Sequence, residues 1–192
     1  AKKDTEIIAI TRRPINNLPE NVSLLNIDFD DFLQNGVLPS CNHIYICLGT
    51  TIKKAGSQSE FKKVDFDYCV SFARKAREAG ATKISLVSSV GANPHTKNFY
   101  LKTKGEVEEE IKKIDFQVIN IFRPSLLLGR REESRFLEKI GQNLSSFINL
   151  FLIGYFRKYR SIKSSNVAYC MANCEQSDGV RYFYFDDFNN NY

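Results

Sequence analysis

Tyr100 and Lys104 are the residues best placed to do chemistry. They sit four apart in Asn98-Phe-Tyr-Leu-Lys-Thr-Lys-Gly105, so a helix carries both on one face, one turn apart. A nearby ammonium favours the phenolate of a group whose free pKa is about 10, which makes the tyrosine usable as a proton donor and acceptor. The same spacing also fits a solvated helix face, and the pair alone does not choose. Ser88-Ser89 precedes it, with Tyr100 eleven residues after Ser89. A serine hydroxyl at a strand end could hydrogen-bond a substrate carbonyl and share the proton-transfer work. Two serines after a strand are also ordinary turn residues. The combination carries more weight than its parts.

These groups need a scaffold, and the flanking pattern predicts one. Glu6–Ile10, Val22–Ile27, Asn42–Leu48, Lys83–Val87 and Gln117–Phe122 read as strands. Between them, Phe61–Glu78 reads as one helix with Val64, Tyr68, Phe72 and Ala76 inward and Gly80 as its stop. Tyr100–Lys113 is the next helix. Later, Ser164–Cys174 reads as a helix and Val180–Phe185 as a strand. Alternating strands and helices predict an α/β fold whose parallel sheet is covered on both faces. One domain over residues 1–192 is expected, with 136–192 as a variable substrate-side region.

In such sheets ligands bind beyond the carboxyl ends of the strands. Arg12-Arg13 follows the first strand, where a dinucleotide's adenosine ribose would lie. An acidic residue there suits a free 2′-hydroxyl and arginine suits a 2′-phosphate, so the pair favours NADP(H) over NAD(H). A basic pair in an exposed loop is the plain alternative. Asp28 follows the second strand and Leu48-Gly49-Thr50 the third; glycine there admits a ligand close to the backbone, or simply makes a turn.

Composition narrows the classes. The chain has 192 residues, 43% hydrophobic and 26% charged, in the range of a globular domain. A net charge of +5 is too mild for a dedicated nucleic-acid binder. Aromatic–basic interleaving in Tyr155-Phe-Arg-Lys-Tyr-Arg160 leaves that role as a minor alternative. The five cysteines (Cys41, Cys47, Cys69, Cys170, Cys174) have no framework spacing, and with two histidines no metal site is expected. Free thiols in a reducing compartment and a cytoplasmic location are the expectation. No signal peptide opens the sequence, and no apolar run reaches the roughly 20 residues that span a bilayer. The apolar stretch Phe147–Phe156 reads as core, pocket wall or membrane-surface segment; Phe136–Tyr159 could also cap a pocket or form a homodimer contact.

The motifs together resemble a known family. Cys47-Leu-Gly-Thr-Thr51, Ser88-Ser-Val-Gly-Ala92, Tyr100-Leu-Lys-Thr-Lys-Gly-Glu-Val-Glu108, Phe122-Arg-Pro-Ser-Leu-Leu-Leu128 and Glu133-Ser-Arg135 are similar to the atypical short-chain dehydrogenase/reductases, Tat-interacting-protein-like group. The resemblance covers roughly Glu6 to Arg135. It implies a Rossmann-type, doubly wound sheet binding NADPH and reducing a small-molecule carbonyl, or the reverse. By resemblance Tyr100 is the proton donor or acceptor, and Lys104 holds the nicotinamide ribose and tunes the tyrosine. Ser89 orients the carbonyl, with Ser88 as the alternative. Arg12 and Arg13 clasp the 2′-phosphate, Leu48 and Gly49 line the adenosine side, and Leu127 and Arg135 fall in a loop closing over the cofactor. Gly105-Glu-Val-Glu108 reads as packing rather than chemistry. Relatives tied to regulatory partners imply a second reading, an NADP(H)-binding regulatory module with little turnover.

One departure is large. Such proteins open with a strand, a glycine-rich turn and a helix whose amides hold the pyrophosphate, and here the first glycine is Gly36. In strand order 3-2-1-4-5-6 the absent strand is central, so its loss would leave edges unpaired. A segment ahead of Ala1 in the native protein is the favoured expectation, and a degenerate member whose sheet closes otherwise is the alternative.

Overall fold

The structure, a computed structural model, describes residues 5–128, 154–174 and 177–189. They fall into two units, Ala1–Pro39 and Ser40–Tyr192. In the first, β1 (Ile7–Thr11) and β2 (Val22–Asn26) pair in parallel, Ile7 opposite Val22 and Thr11 opposite Asn26. Helix α1 (Phe29–Asn35) follows, buries Phe29 and Phe32, and is capped by Asp28.

The second unit is built on a parallel sheet of order β3-β4-β5-β8, from β3 (His43–Ile46), β4 (Lys83–Val87), β5 (Val118–Phe122) and β8 (Gly179–Phe183). All five residues of β5 are buried, the pattern of a strand covered on both faces. Parallel neighbours require crossovers. Helices α2 (Ile52–Ala55), α3 (Gln58–Lys62), a π-helical turn (Lys63–Tyr68) and α4 (Cys69–Glu78) join β3 to β4. Helix α5 (Phe99–Lys112) joins β4 to β5, starting where the Asn98 side chain accepts the Leu101 N–H at 3.0 Å. Beyond β5, β6 (Leu127–Leu128) pairs with β7 (Ile162–Lys163), and α6 (Ser164–Asn173) and α7 (Phe185–Asn189) flank β8 in sequence. Phe122 stacks on Phe183 at 4.6 Å, within a cluster that holds Ile162, Val167, Cys170, Met171 and Phe188.

The expected strands and the α/β class are found. The single helix expected over Phe61–Glu78 is not: the π-turn divides it. Tyr68, Phe72 and Ala76 are buried as expected, but Val64 is half-buried and its neighbour Asp65 is turned inward. A wider turn shifts the face that four-residue spacing assigns. Gly80 ends α4 with φ of 98°, a conformation glycine adopts readily. Arg135, the Glu133-Ser-Arg135 motif and residues 136–153 of the apolar stretch lie outside the described residues. Among those described, no helix is long and apolar enough to cross a membrane.

Candidate active site

Because β3, β4 and β5 run in register, the segments leaving their carboxyl ends share one edge of the sheet. Leu48-Gly49-Thr50 leaves β3, Ser88-Ser89 leaves β4 and Arg123 leaves β5. The loop after β4 is fixed to α5 at two heights. Asn93 N–H donates to the Leu101 carbonyl at 3.1 Å, and a methyl group on Gly105 would meet Pro94 N at 2.4 Å. Gly105 is therefore what lets the serine-bearing loop lie against the helix.

Tyr100, Lys104 and Glu108 occupy successive turns of one α5 stripe. The half-buried Tyr100 ring packs on buried Phe61 of α3, centroids 5.8 Å apart, and its hydroxyl has no hydrogen-bond partner among the described residues. Lys104 is buried, and its Nζ lies 2.6 Å from Oδ1 of Asp65, which is 1% exposed. Burial works against the Lys104 charge, but the Asp65 carboxylate outweighs it, helped by Cys69 and Tyr100, and holds the ammonium above its ordinary pKa. Oδ2 of Asp65 accepts the Thr50 backbone N–H at 2.8 Å. A Cβ on Gly49 would lie 3.4 Å from Asp65 Oδ1 and 3.8 Å from Lys104 Nζ. Gly49 thus leaves open the space beside a buried ion pair.

The two serines separate. Ser88 is buried and donates its hydroxyl to Glu108, whose carboxylate also receives Arg123 through Nε at 3.0 Å and through a second N–H. Arg123 Nη1 donates to the Tyr184 hydroxyl at 3.0 Å, and its guanidinium lies 4.5 Å from the Tyr182 ring centroid. Ser88 is committed to this network. Ser89 is half-buried and makes a long 3.4 Å contact to the Val90 carbonyl, which leaves its hydroxyl weakly held.

Gly49 and Ser89 thus leave neighbouring strand ends, with half-buried Leu48 in the Gly49 loop, and Gly49 lies beside Lys104 of α5, one turn from Tyr100. Arg12, Arg13 and Asp28 belong to the other unit. Both arginines are exposed, with the Arg12 guanidinium 5.6 Å from the Phe29 ring centroid. Oδ1 of Asp28 accepts Asp30 N–H at 2.7 Å and Asp31 N–H at 3.1 Å, so it caps α1. Leu127 is half-buried in β6. Sequence reasoning missed Asp65 and the buried ion pair of Glu108 with Arg123. Glu108 had a signal: it continues the Tyr100–Lys104 stripe by one turn. Asp65 had none, because the π-turn that turns it inward leaves no periodic trace.

Comparison with known proteins places the chain. No family model matches it. It is 32% identical to the mitochondrial protein FMP52 of Saccharomyces cerevisiae over 166 residues, 84% of this chain and 68% of that protein. It is 45% identical over 100 residues to FMP52, mitochondrial, of Candida albicans, covering 52% of this chain and 44% of that protein. Protein HTATIP2 of Rattus norvegicus is 42% identical over 91 residues, 47% of this chain and 37% of that protein. The match thus spans less than half the length of the last two relatives. Among solved structures, UDP-glucose 4-epimerase of Thermotoga maritima with UDP-glucose superposes with TM-score 0.64 at 12% identity, covering 94% of this chain and 69% of that one. The Bordetella bronchiseptica enzyme WbmG with NAD gives 0.59 at 14% identity, covering 94% and 65%. These two show the Rossmann-like fold. The cytoplasmic expectation is corrected: curated relatives are named as mitochondrial, and cysteine usage had not distinguished between reducing compartments.

Proposed function

Since the chain belongs to the family of FMP52 and HTATIP2, atypical short-chain dehydrogenase/reductase-like proteins, we propose that it is an NADPH-linked oxidoreductase interconverting a carbonyl and an alcohol. One observation carries this reading: on α5, Tyr100 stands one turn before a buried, charge-paired Lys104 that lies beside the Gly49 loop leaving β3. A solvated helix face would not bury its lysine.

The residues on the nicotinamide side fit such a cofactor. Gly49 keeps the space beside Lys104 free of a side chain, and Lys104 offers ammonium protons to a ribose. The exposed Arg12 and Arg13 suit a 2′-phosphate, which is the basis for preferring NADPH. No glycine precedes Gly36, so a glycine-rich pyrophosphate turn is not among the described residues. When bound, the dinucleotide supplies or takes up the hydride. For reduction, the Tyr100 hydroxyl gives its proton to the carbonyl oxygen, and Ser89 donates a hydrogen bond to that oxygen as negative charge grows on it. Lys104 stabilises the phenolate left behind. Oxidation runs the same proton back to Tyr100. We propose a mitochondrial location, on the names of the FMP52 relatives, and fractionation of tagged protein checks this.

The test follows NADPH and NADH consumption against a carbonyl panel. Wild type should turn over with NADPH preferred; Tyr100→Phe should lose about 100-fold or more in kcat and Ser89→Ala a smaller factor. Undiminished activity in Tyr100→Phe would overturn the mechanism. Tight NADPH binding without turnover would replace catalysis by nucleotide sensing.

A further inference from the structure

The α5 lysine is held by a residue outside the expected Ser–Tyr–Lys set. We propose that Asp65 is the positioning residue of this site: it fixes Lys104 in its charged form and ties it to the Gly49-Thr50 loop. The proposal deepens the oxidoreductase reading, but its central claim, the coupling of Asp65 to Lys104, stands on geometry alone.

Three observations converge. Asp65 uses both carboxylate oxygens, Oδ1 on Lys104 Nζ at 2.6 Å and Oδ2 on the Thr50 N–H at 2.8 Å. One side chain thereby joins the loop leaving β3 to the middle of α5, two segments far apart in sequence. Asp65 also sits in the π-helical turn, and such turns often mark functional sites because they re-aim one side chain without ending the helix. Finally, α3, which runs directly into the π-turn that carries Asp65, holds Phe61, whose ring supports Tyr100 at 5.8 Å. The α3–π segment therefore braces both members of the pair.

A buried ammonium without a partner loses its charge readily. The groups bearing on Lys104 are few: Asp65 from the π-turn, Cys69 from α4 and Tyr100 from its own helix. Burial pushes the Cys69 thiol up to about 12, so it is neutral near pH 7 and cannot substitute for Asp65. Cys47, in the loop after β3, bears on Cys69 and is itself pushed up by burial. Asp65 is the one carboxylate in this set. Asp65→Asn keeps an oxygen for Thr50 but removes the charge opposite Lys104.

The experiment labels lysines by reductive 13C-methylation and follows the Lys104 resonance, assigned with Lys104→Met, against pH in wild type and Asp65→Asn. A lower titration midpoint in Asp65→Asn is expected; an unchanged midpoint overturns the proposal. Should Asp65→Asn fold poorly, a thermal-melt cycle with Lys104→Met and the double variant decides. Asp65→Asn should then cost much less stability in the Lys104→Met background, and equal cost in both backgrounds overturns the coupling. In turnover, Asp65→Asn should lower kcat by about 100-fold, the scale of a misplaced catalytic group, with KM little changed and the pH–kcat profile displaced. An unaltered profile in an active variant rejects the positioning role. Wild type that neither binds dinucleotide nor turns over defeats the oxidoreductase reading, while the titration still decides whether Asp65 governs Lys104.

Discussion

Replacing Glu108 tests how the strand-end serines are held. Glu108 is 1% exposed and takes hydrogen bonds from the Ser88 hydroxyl and from Arg123 on both oxygens. Glu108→Ala removes all of these and leaves a guanidinium, 19% exposed, without its counter-charge. Breaking a buried pair from one side costs about 3–5 kcal/mol. Arg123 keeps its bond to Tyr184 and its contact with the Tyr182 ring, which favours the lower half of that range. The orphaned Ser88 hydroxyl adds to the cost, though not additively within one network. We expect a loss of about 4 kcal/mol. For a chain of this size that is roughly 8–16 °C in Tm.

Glu108→Gln keeps the shape and one acceptor and should cost about 2 kcal/mol, the scale of a hydrogen bond to a charged group. Replacing Glu108 and Arg123 together with Met should cost less than Glu108→Ala, because no charge is left buried alone. Urea denaturation measures each variant. Lys113→Ala, which removes an exposed partner of Glu110, is the control and should leave stability close to wild type. If Glu108→Ala costs no more than that control, the network does not fix the strand end and the reasoning fails.

Two further outcomes follow from the same structure. Gly105→Ala gains about 1 kcal/mol of helix propensity, yet its methyl would meet the Pro94 N at 2.4 Å and the Asn93 carbonyl carbon at 2.5 Å. Overpacking of about 1–3 kcal/mol should prevail and lower Tm; a more stable variant would refute the close approach. His43 is depressed by burial and by Lys83 from 6.5 to about 4 and hydrogen-bonds the Ser85 hydroxyl at 3.0 Å. A depressed histidine is neutral in the fold but takes a proton when unfolded, so its stabilisation is present above pH 6.5 and is lost as pH falls toward 4. The loss should be about 1–2 kcal/mol after allowing for solvent at the partly exposed ring. An NMR titration of the ring with a midpoint near 6.5 would rule it out.

The strands and α5 were legible because burial imposes period. Lys83–Val87 and Gln117–Phe122 are apolar runs that only a doubly covered sheet accommodates, and Asn98 marks the start of α5. What the sequence concealed was side-chain pairing. Asp28, expected at the ligand-binding end of the second strand, precedes Phe29-Asp-Asp-Phe32 and caps α1, a role its spacing also allowed. Ser88 and Ser89 are indistinguishable as letters; burial and Glu108 separate them. Glu108 and Arg123 meet because β5 docks beside β4, a tertiary event that a charge in a helix pattern does not announce.

Three of the ion pairs on and beside α5 differ in what their burial implies. A surface pair such as Lys113 with Glu110 holds little energy and needs no reason to be where it is. Burying Lys104 against Asp65 costs desolvation that the pairing roughly offsets, and apolar residues of similar volume would serve stability as well or better. Stability therefore does not account for a lysine at position 104. Glu108 and Arg123 hold Ser88, the Tyr184 hydroxyl and the Tyr182 ring in place, which is a structural reason for burying charge. Lys104 is linked through Asp65 to the Thr50 N–H, a smaller network. In the proposed reading, proton chemistry at Tyr100, one turn away, supplies the reason for that buried charge, with Asp65 as the carboxylate partner of Lys104 among the described residues.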